Sequence, residues 1–292
     1  METMNKTVRV YPLDAHNDPR AARGIFVVGH ARSGTTVLTD ALNTCPDIHC
    51  LMEPYFYRSY DYPSFGNWFN RMHEAFGNPR SKGYWLPDCG EATGKEIVEK
   101  LRGSHRYVGE KLAFRQRARN YLTDKFFDFA VANFVLSPFI CIVRNPLKVT
   151  SSAIDMFENS TFEREIIRSV VQSQLETYLL ILRLVQTVPH CYLLAHESID
   201  NNTFVNLGQQ LDVKLDRAFR LYSPEIRKTR HLKENERMLL ENSRVQLLTE
   251  LYTKITTLAG NQGAKITVDD LQSYNALASS GAELVSKFKN IS

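Results

Sequence analysis

Residues 29–36, Gly-His-Ala-Arg-Ser-Gly-Thr-Thr, have the frame of a phosphate-binding loop: a glycine, four residues, a second glycine and hydroxyl side chains. In the lysine-bearing version of that loop a Lys follows the second glycine. Here Thr35 stands in its place, and the cation lies inside the loop as Arg32. Gly34 lets the backbone approach an anion closely. Ser33, Thr35 and Thr36 add hydroxyl donors beside the free amides of a helix start. This chemistry suits a fixed, singly substituted phosphate, and the plain alternative is a turn with a capping threonine. A second cationic element lies at residues 141–152, Cys-Ile-Val-Arg-Asn-Pro-Leu-Lys-Val-Thr-Ser-Ser, where Ser152 follows Arg144 by eight positions. Eight residues of unbroken helix would span about 12 Å. The two can serve one ligand only if Arg144 and Asn145 are still strand and turn, so that the long arginine folds back.

Both elements need a strand before them and a helix after them. Residues 24–29, Gly-Ile-Phe-Val-Val-Gly, read as a short buried strand, and Val37, Leu38, Ala41 and Leu42 fall at helical spacing behind the loop. Residues 139–143 repeat the strand pattern, and Pro146 is placed for the first turn of the next helix. Further strands are expected at 106–114 and 190–197. Residues 161–187 carry apolar side chains at 167, 171, 175, 178, 182 and 185, a long amphipathic helix, with Ser160 and Glu163 in a capping-box pattern. Residues 233–259 read as another helix, and 266–290 as a helical tail of weaker periodicity. The stretch 55–90, dense in aromatics, Gly and Pro, reads as a loop-rich insertion. Strands alternating with helices predict an α/β fold, a doubly wound, mainly parallel sheet flanked by helices, with ligands at the carboxyl ends of the strands.

The bulk properties agree with such a domain. The chain has 292 residues, 43% hydrophobic and 23% charged, and a formal charge of +4 spread along its length. That mild excess favours a small anionic ligand and gives little reason to expect nucleic acid. Cys45, Cys50, Cys89, Cys141 and Cys191 show neither paired spacing nor a zinc pattern, so reduced, buried thiols and no metal site are expected. No apolar run reaches membrane-spanning length; the nearest, at 126–143, is broken by Asp128, Asn133 and Ser137-Pro138. With no apolar core of a signal peptide near the amino terminus, the expected location is cytoplasmic.

Together the 32–36 loop and the 144–152 element resemble the sulfotransferase superfamily that uses 3′-phosphoadenosine 5′-phosphosulfate as donor and releases adenosine 3′,5′-bisphosphate. The resemblance implies a P-loop-like fold. It also implies that Arg32, Ser33, Gly34, Thr35 and Thr36 bind the donor's 5′-phosphate, and Arg144 and Ser152 its 3′-phosphate. It runs more softly from Gly24 to about Leu211, within a single domain over 1–292 that carries a helical extension from about 230. It would also explain the missing loop lysine. A transferring sulfonate carries less charge than a γ-phosphoryl group, so an arginine and helix amides can replace the lysine and a magnesium ion.

Sulfonate transfer to a hydroxyl needs a base for the acceptor proton and a cation for the leaving oxygen. The resemblance implies Glu53, at the end of a second strand, as the base, and Lys111 in Gly109-Glu110-Lys111, at the end of the third strand, as the stabiliser. The plain alternatives are a solvated loop carboxylate and a lysine paired with Glu110. The phenol and steroid branch has a lysine in its loop, a histidine after the lysine-bearing strand and a late glycine-rich basic segment. This chain has Arg32, no histidine in 110–120 and only Glu-Ile-Arg-Lys-Thr-Arg-His at 225–231. The glycan, peptide and bacterial branches match better, with Arg227 and Lys228 as candidates for a closing basic loop. His30 and His49 read as structural. The expectation is a sulfotransferase acting on a glycan, lipid or small-molecule hydroxyl. A degenerate P-loop kinase or NTPase and a non-catalytic nucleotide-binding module are the competing readings. The aromatics after Glu53 fit an acceptor pocket or ordinary packing equally well.

Overall fold

The computed structural model describes residues 21–74, 82–84, 86, 90–114, 120–156, 163–222, 239, 241–258 and 276–277. Its centre is a sheet of five strands: β1 (Phe26–His30), β2 (Ile48–Met52), β3 (Tyr107–Phe114), β4 (Phe139–Val143) and β5 (Cys191–Ala195). They lie in the order β2-β3-β1-β4-β5, and each neighbouring pair is parallel. Every residue of β1, β2, β4 and β5 is buried. Unbroken apolar runs are what a parallel sheet covered on both faces requires.

The connections are α1 (Thr35–Leu42), α2 (Phe56–Ser59), α3 (Phe65–Glu74), α4 (Gly94–Arg102), α5 (Asn120–Phe134), α6 (Pro146–Met156), α7 (Glu163–Thr187), α8 (Asn201–Leu211) and α9 (Ala218–Tyr222), followed by α10 (Ser243–Leu258). Alternation along the strands divides the core. Phe26, Val28, Leu112, Cys141 and Leu193 face α5, α7 and α10, whereas Val27, Ile140, Ile142 and Leu194 face α1, α8 and α9. Phe26 anchors the first layer, its ring stacked on Phe139 at 4.8 Å and edge-on to Phe134 at 4.9 Å. Because β3 and β4 flank β1 while the chain winds away in both directions, the order reverses at β1. That places the ligand crevice above its carboxyl end.

Two sequence expectations change. The insertion after Glu53 is largely helical where it is described, and Phe56, Phe65 and Phe69 are buried with Leu51, Ile97, Val98 and Val108 in a third core cluster. Those phenylalanines are packing. The helix expected over 233–259 is interrupted at 241–242, between the helical Leu239 and α10, which starts at Ser243 where the Asn242 side chain accepts the amide hydrogens of Arg244 and Val245 at 3.1 and 3.3 Å; 233–238 and 240 lie outside the described residues. The long helix runs from Glu163 to Thr187, but the capping-box residue Ser160 lies outside the described residues, as do Arg227, Lys228, Cys89 and most of the 266–290 tail. Cys45, Cys50, Cys141 and Cys191 are free and buried. Among the described residues no helix is long and apolar enough to cross a membrane.

Candidate active site

The loop at the end of β1 is bent into shape by its backbone. Arg32 has φ 73° and Gly34 φ 92°, both left-handed, and the Ser33 amide donates to the His30 carbonyl at 3.1 Å. Gly34 precedes α1, and no side chain caps that helix, so its first amides keep their donor capacity for something else. A β-carbon at Gly34 would stand 2.5 Å from His196 Nδ1 and 2.9 Å from the Tyr222 hydroxyl, so both backbone angle and space demand glycine.

The two cationic elements form one cluster. Arg144 Nη1 donates to the Arg32 carbonyl at 2.8 Å, and Arg32 Nε donates to Ser152 Oγ at 3.0 Å. The Arg144 side chain rests on the Arg32 carbonyl, and the side chain on Ser152 is Arg32. The turn is held from both sides. Tyr178 of α7 donates its hydroxyl to the Arg144 carbonyl at 2.8 Å, and Glu197 accepts the Asn145 amide hydrogen at 3.1 Å and the Tyr252 hydroxyl at 2.7 Å. Tyr252 belongs to α10, so that helix reaches the Arg144 turn through one carboxylate.

Glu53 and Lys111 also meet. Lys111 Nζ lies 2.6 Å from Glu53 Oε1 and 3.3 Å from Thr36 Oγ1, joining the loop to the acid–base pair. Tyr55 donates its hydroxyl to Glu53 Oε2 at 3.0 Å. Lys111 is not at the end of β3, which continues to Phe114; it stands level with Met52, the last residue of β2. The neighbouring strand therefore stops where the side chain must emerge. Lys111 pairs with Glu53, not with Glu110, because adjacent strand residues point to opposite faces. Five non-glycine residues among those described have positive φ, and three of them, Arg32, Glu53 and Tyr55, are here. Such angles persist where surrounding contacts over-determine them.

His30 lies under the loop. Its Nδ1 is 2.6 Å from the Ala31 carbonyl, which can only accept, so Nδ1 carries the proton and Nε2 accepts from Ser173 Oγ at 2.5 Å. Burial pushes its pKa down to about 4, and that of His49 likewise to about 4, so both are neutral fixtures. Burial pushes Glu110 in the other direction, to about 8. Between about 4 and 6.5 the unfolded chain binds protons that folded His30 and His49 refuse, so stability falls as pH drops through that window. Between 4.5 and about 8 folded Glu110 keeps a proton that the unfolded chain releases, so its contribution falls as pH rises. His73, lowered by burial, adds to the histidine side, and Glu176, raised by burial, adds to the carboxyl side. Denaturant unfolding at a series of pH values is expected to show the wild type losing stability relative to Glu110→Gln as pH rises from 4.5 to about 8. A difference between the two that does not change with pH over that range contradicts the assignment.

Tyr55, His196, Tyr222 and Glu197 were not singled out from sequence. His196 follows the carboxyl end of β5, the edge where such sheets hold ligands, and its Nδ1 lies 2.5 Å from the Tyr222 hydroxyl beside Gly34. That position was the available signal. Among the described residues no cluster of three or more His, Cys, Asp or Glu side chains could hold a metal ion.

Residues 24–207 match the sulfotransferase family. The chain belongs to that family, and the membership supports a sulfotransferase enzyme. No curated protein matches it in sequence. Three solved structures are similar. The sulfotransferase domain of the Synechococcus PCC 7002 olefin synthase is 16% identical, with 87% of this chain and 94% of that one covered and a TM-score of 0.46. The sulfotransferase from Alicyclobacillus acidocaldarius is 17% identical, with 78% and 96% covered and a TM-score of 0.45. The sulfotransferase domain from the curacin biosynthetic pathway is 13% identical, with 89% and 98% covered and a TM-score of 0.48.

Proposed function

We propose that this sulfotransferase takes the sulfonate group from 3′-phosphoadenosine 5′-phosphosulfate and delivers it to a hydroxyl of a glycan, lipid or small-molecule acceptor. The observation that carries the reading is the joined cluster: Arg144 on the Arg32 carbonyl, Arg32 on Ser152, and Thr36 beside Lys111. A donor with two separated phosphate groups suits two cationic elements hydrogen-bonded to each other at the carboxyl ends of adjacent strands. Ser33, Gly34, Thr35 and Thr36, with Arg32, would hold the 5′-phosphate end, and Arg144 and Ser152 the 3′-phosphate. The donor supplies an activated sulfur whose bond to the phosphate oxygen breaks as the acceptor oxygen bonds to it.

Glu53 takes the acceptor's hydroxyl proton, and Lys111 faces the negative charge that grows on the departing phosphate oxygen. Tyr55 and Lys111 hold the two carboxylate oxygens of Glu53, so its orientation is fixed before the acceptor enters. A P-loop kinase would need a metal-binding aspartate after an apolar strand, and β4 leads into Arg144 instead. Calorimetry should show adenosine 3′,5′-bisphosphate binding more tightly than ATP with magnesium. Gly34→Ala should weaken bisphosphate binding by roughly 5- to 30-fold, the cost of a left-handed non-glycine residue, and an unchanged affinity contradicts the loop assignment.

The activity is tested with radiolabelled donor in EDTA, a broad acceptor panel and fractionated host extract. Label appearing on an acceptor supports the reading. Bisphosphate binding with no label transferred favours a non-catalytic nucleotide-binding module.

A further inference from the structure

We propose that Glu110 is a positioning residue for Glu53: from the sheet face opposite Lys111, it fixes the Pro54–Phe56 turn that determines where the Glu53 carboxylate stands. The role of Glu53 rests on the function proposed above, whereas the placement of the turn does not.

Glu110 is 0% exposed. On its strand it alternates with Lys111 and shares a face with Val108 and Leu112, and Leu51 and Phe26 lie opposite it in register. Its Oε2 accepts the Phe56 amide hydrogen at 3.1 Å, while Oε1 has no hydrogen-bond partner among the described residues. Among the described residues this buried carboxyl meets the backbone amides of Phe56 and Tyr55 and no counter-charge, which is costly, so its position calls for a reason.

The turn it touches provides one. Glu53 and Tyr55 have φ 55° and 53°, two left-handed non-glycine residues within three positions. Successive residues of β3 grip this segment at its two ends. The Lys111 carbonyl accepts the Glu53 amide hydrogen at 3.1 Å, and the Glu110 side chain accepts that of Phe56. Between them, Ser59 Oγ donates to the Pro54 carbonyl at 2.7 Å. With both ends tied to one strand, the Glu53 side chain reaches Lys111 Nζ and the Tyr55 hydroxyl. Loss of the Glu110 grip frees one end, and the strained angles relax away from the site.

Two variants separate anchoring from bulk. Glu110→Gln keeps an oxygen for the Phe56 amide, and Glu110→Met keeps the length without it. Crystal structures are expected to show the Lys111–Glu53 contact retained in E110Q and lost in E110M. In turnover, kcat should fall roughly 10- to 100-fold in E110M, the scale of an ångström of misplacement, with bisphosphate affinity unchanged and E110Q close to wild type. An E110M structure with Glu53 still against Lys111, or an E110Q that loses the contact as E110M does, overturns the proposal. Should E110M fail to fold, hydrogen exchange on the wild-type protein decides. Phe56 opens a single helical turn and its amide has no helical acceptor, so strong protection supports the grip and free exchange overturns it. Wild-type protein that transfers no sulfonate at all refutes the proposed function instead, and the structures and exchange rates still report on Glu110.

Discussion

Replacing Lys111 with Ala lowers sulfonate transfer by roughly 100- to 1,000-fold, the usual cost of removing one donor aimed at developing charge, and leaves bisphosphate affinity nearly unchanged. The ammonium lies 2.6 Å from Glu53 and 3.3 Å from Thr36, between the base and the phosphate loop. Charge appears on the leaving oxygen as the sulfur–oxygen bond breaks, so the lost interaction belongs to the transition state and registers in kcat rather than in binding. Lys111→Arg should not restore the rate, because a planar guanidinium cannot occupy the place of a compact ammonium packed at 4% exposure. Steady-state kinetics with saturating donor measures this. A variant within about threefold of wild type removes Lys111 from the chemistry.

The second large effect is on binding. Arg144→Ala weakens adenosine 3′,5′-bisphosphate by roughly 10- to 150-fold, the range for hydrogen bonds to a charged group. It should weaken adenosine 5′-monophosphate far less, because that nucleotide lacks the 3′-phosphate. The turn itself should survive, since Tyr178 holds the Arg144 carbonyl and Glu197 holds the Asn145 amide, both backbone groups. Calorimetry with both nucleotides separates a lost phosphate contact from a collapsed turn. Equal losses for the two indicate collapse, and no loss for either removes Arg144 from the site.

The strands were the most legible part of the chain. β4 coincides with the apolar run at 139–143 and β5 falls within 190–197, because strands covered on both faces are largely apolar, and β3 falls within 106–114 although Glu110 and Lys111 interrupt its apolar run. The helical insertion was less so. Its Phe, Gly and Pro residues read locally as loop, whereas burial of Phe56, Phe65 and Phe69 in a separate core cluster organises it into helices. The loop residues Arg32 to Thr36 could be placed because a strand–glycine–helix junction has a local signature. The Lys111–Glu53 contact joins residues 58 apart and depends on β2 stopping level with Lys111, a register that no local pattern encodes. The same holds for Glu197, whose bond to the Asn145 amide spans 52 positions. A buried Glu110 is the hardest case, since Gly-Glu-Lys reads as a charged, solvated pair until the sheet closes over it.

One nucleotide must be held by both cationic elements at once. A crystal structure with adenosine 3′,5′-bisphosphate tests this most directly. The expected result places the 5′-phosphate on the Ser33–Thr36 backbone and hydroxyls, and the 3′-phosphate within hydrogen-bond distance of Arg144 and Ser152. A nucleotide bound to one element alone, with its second phosphate directed into solvent, contradicts the account.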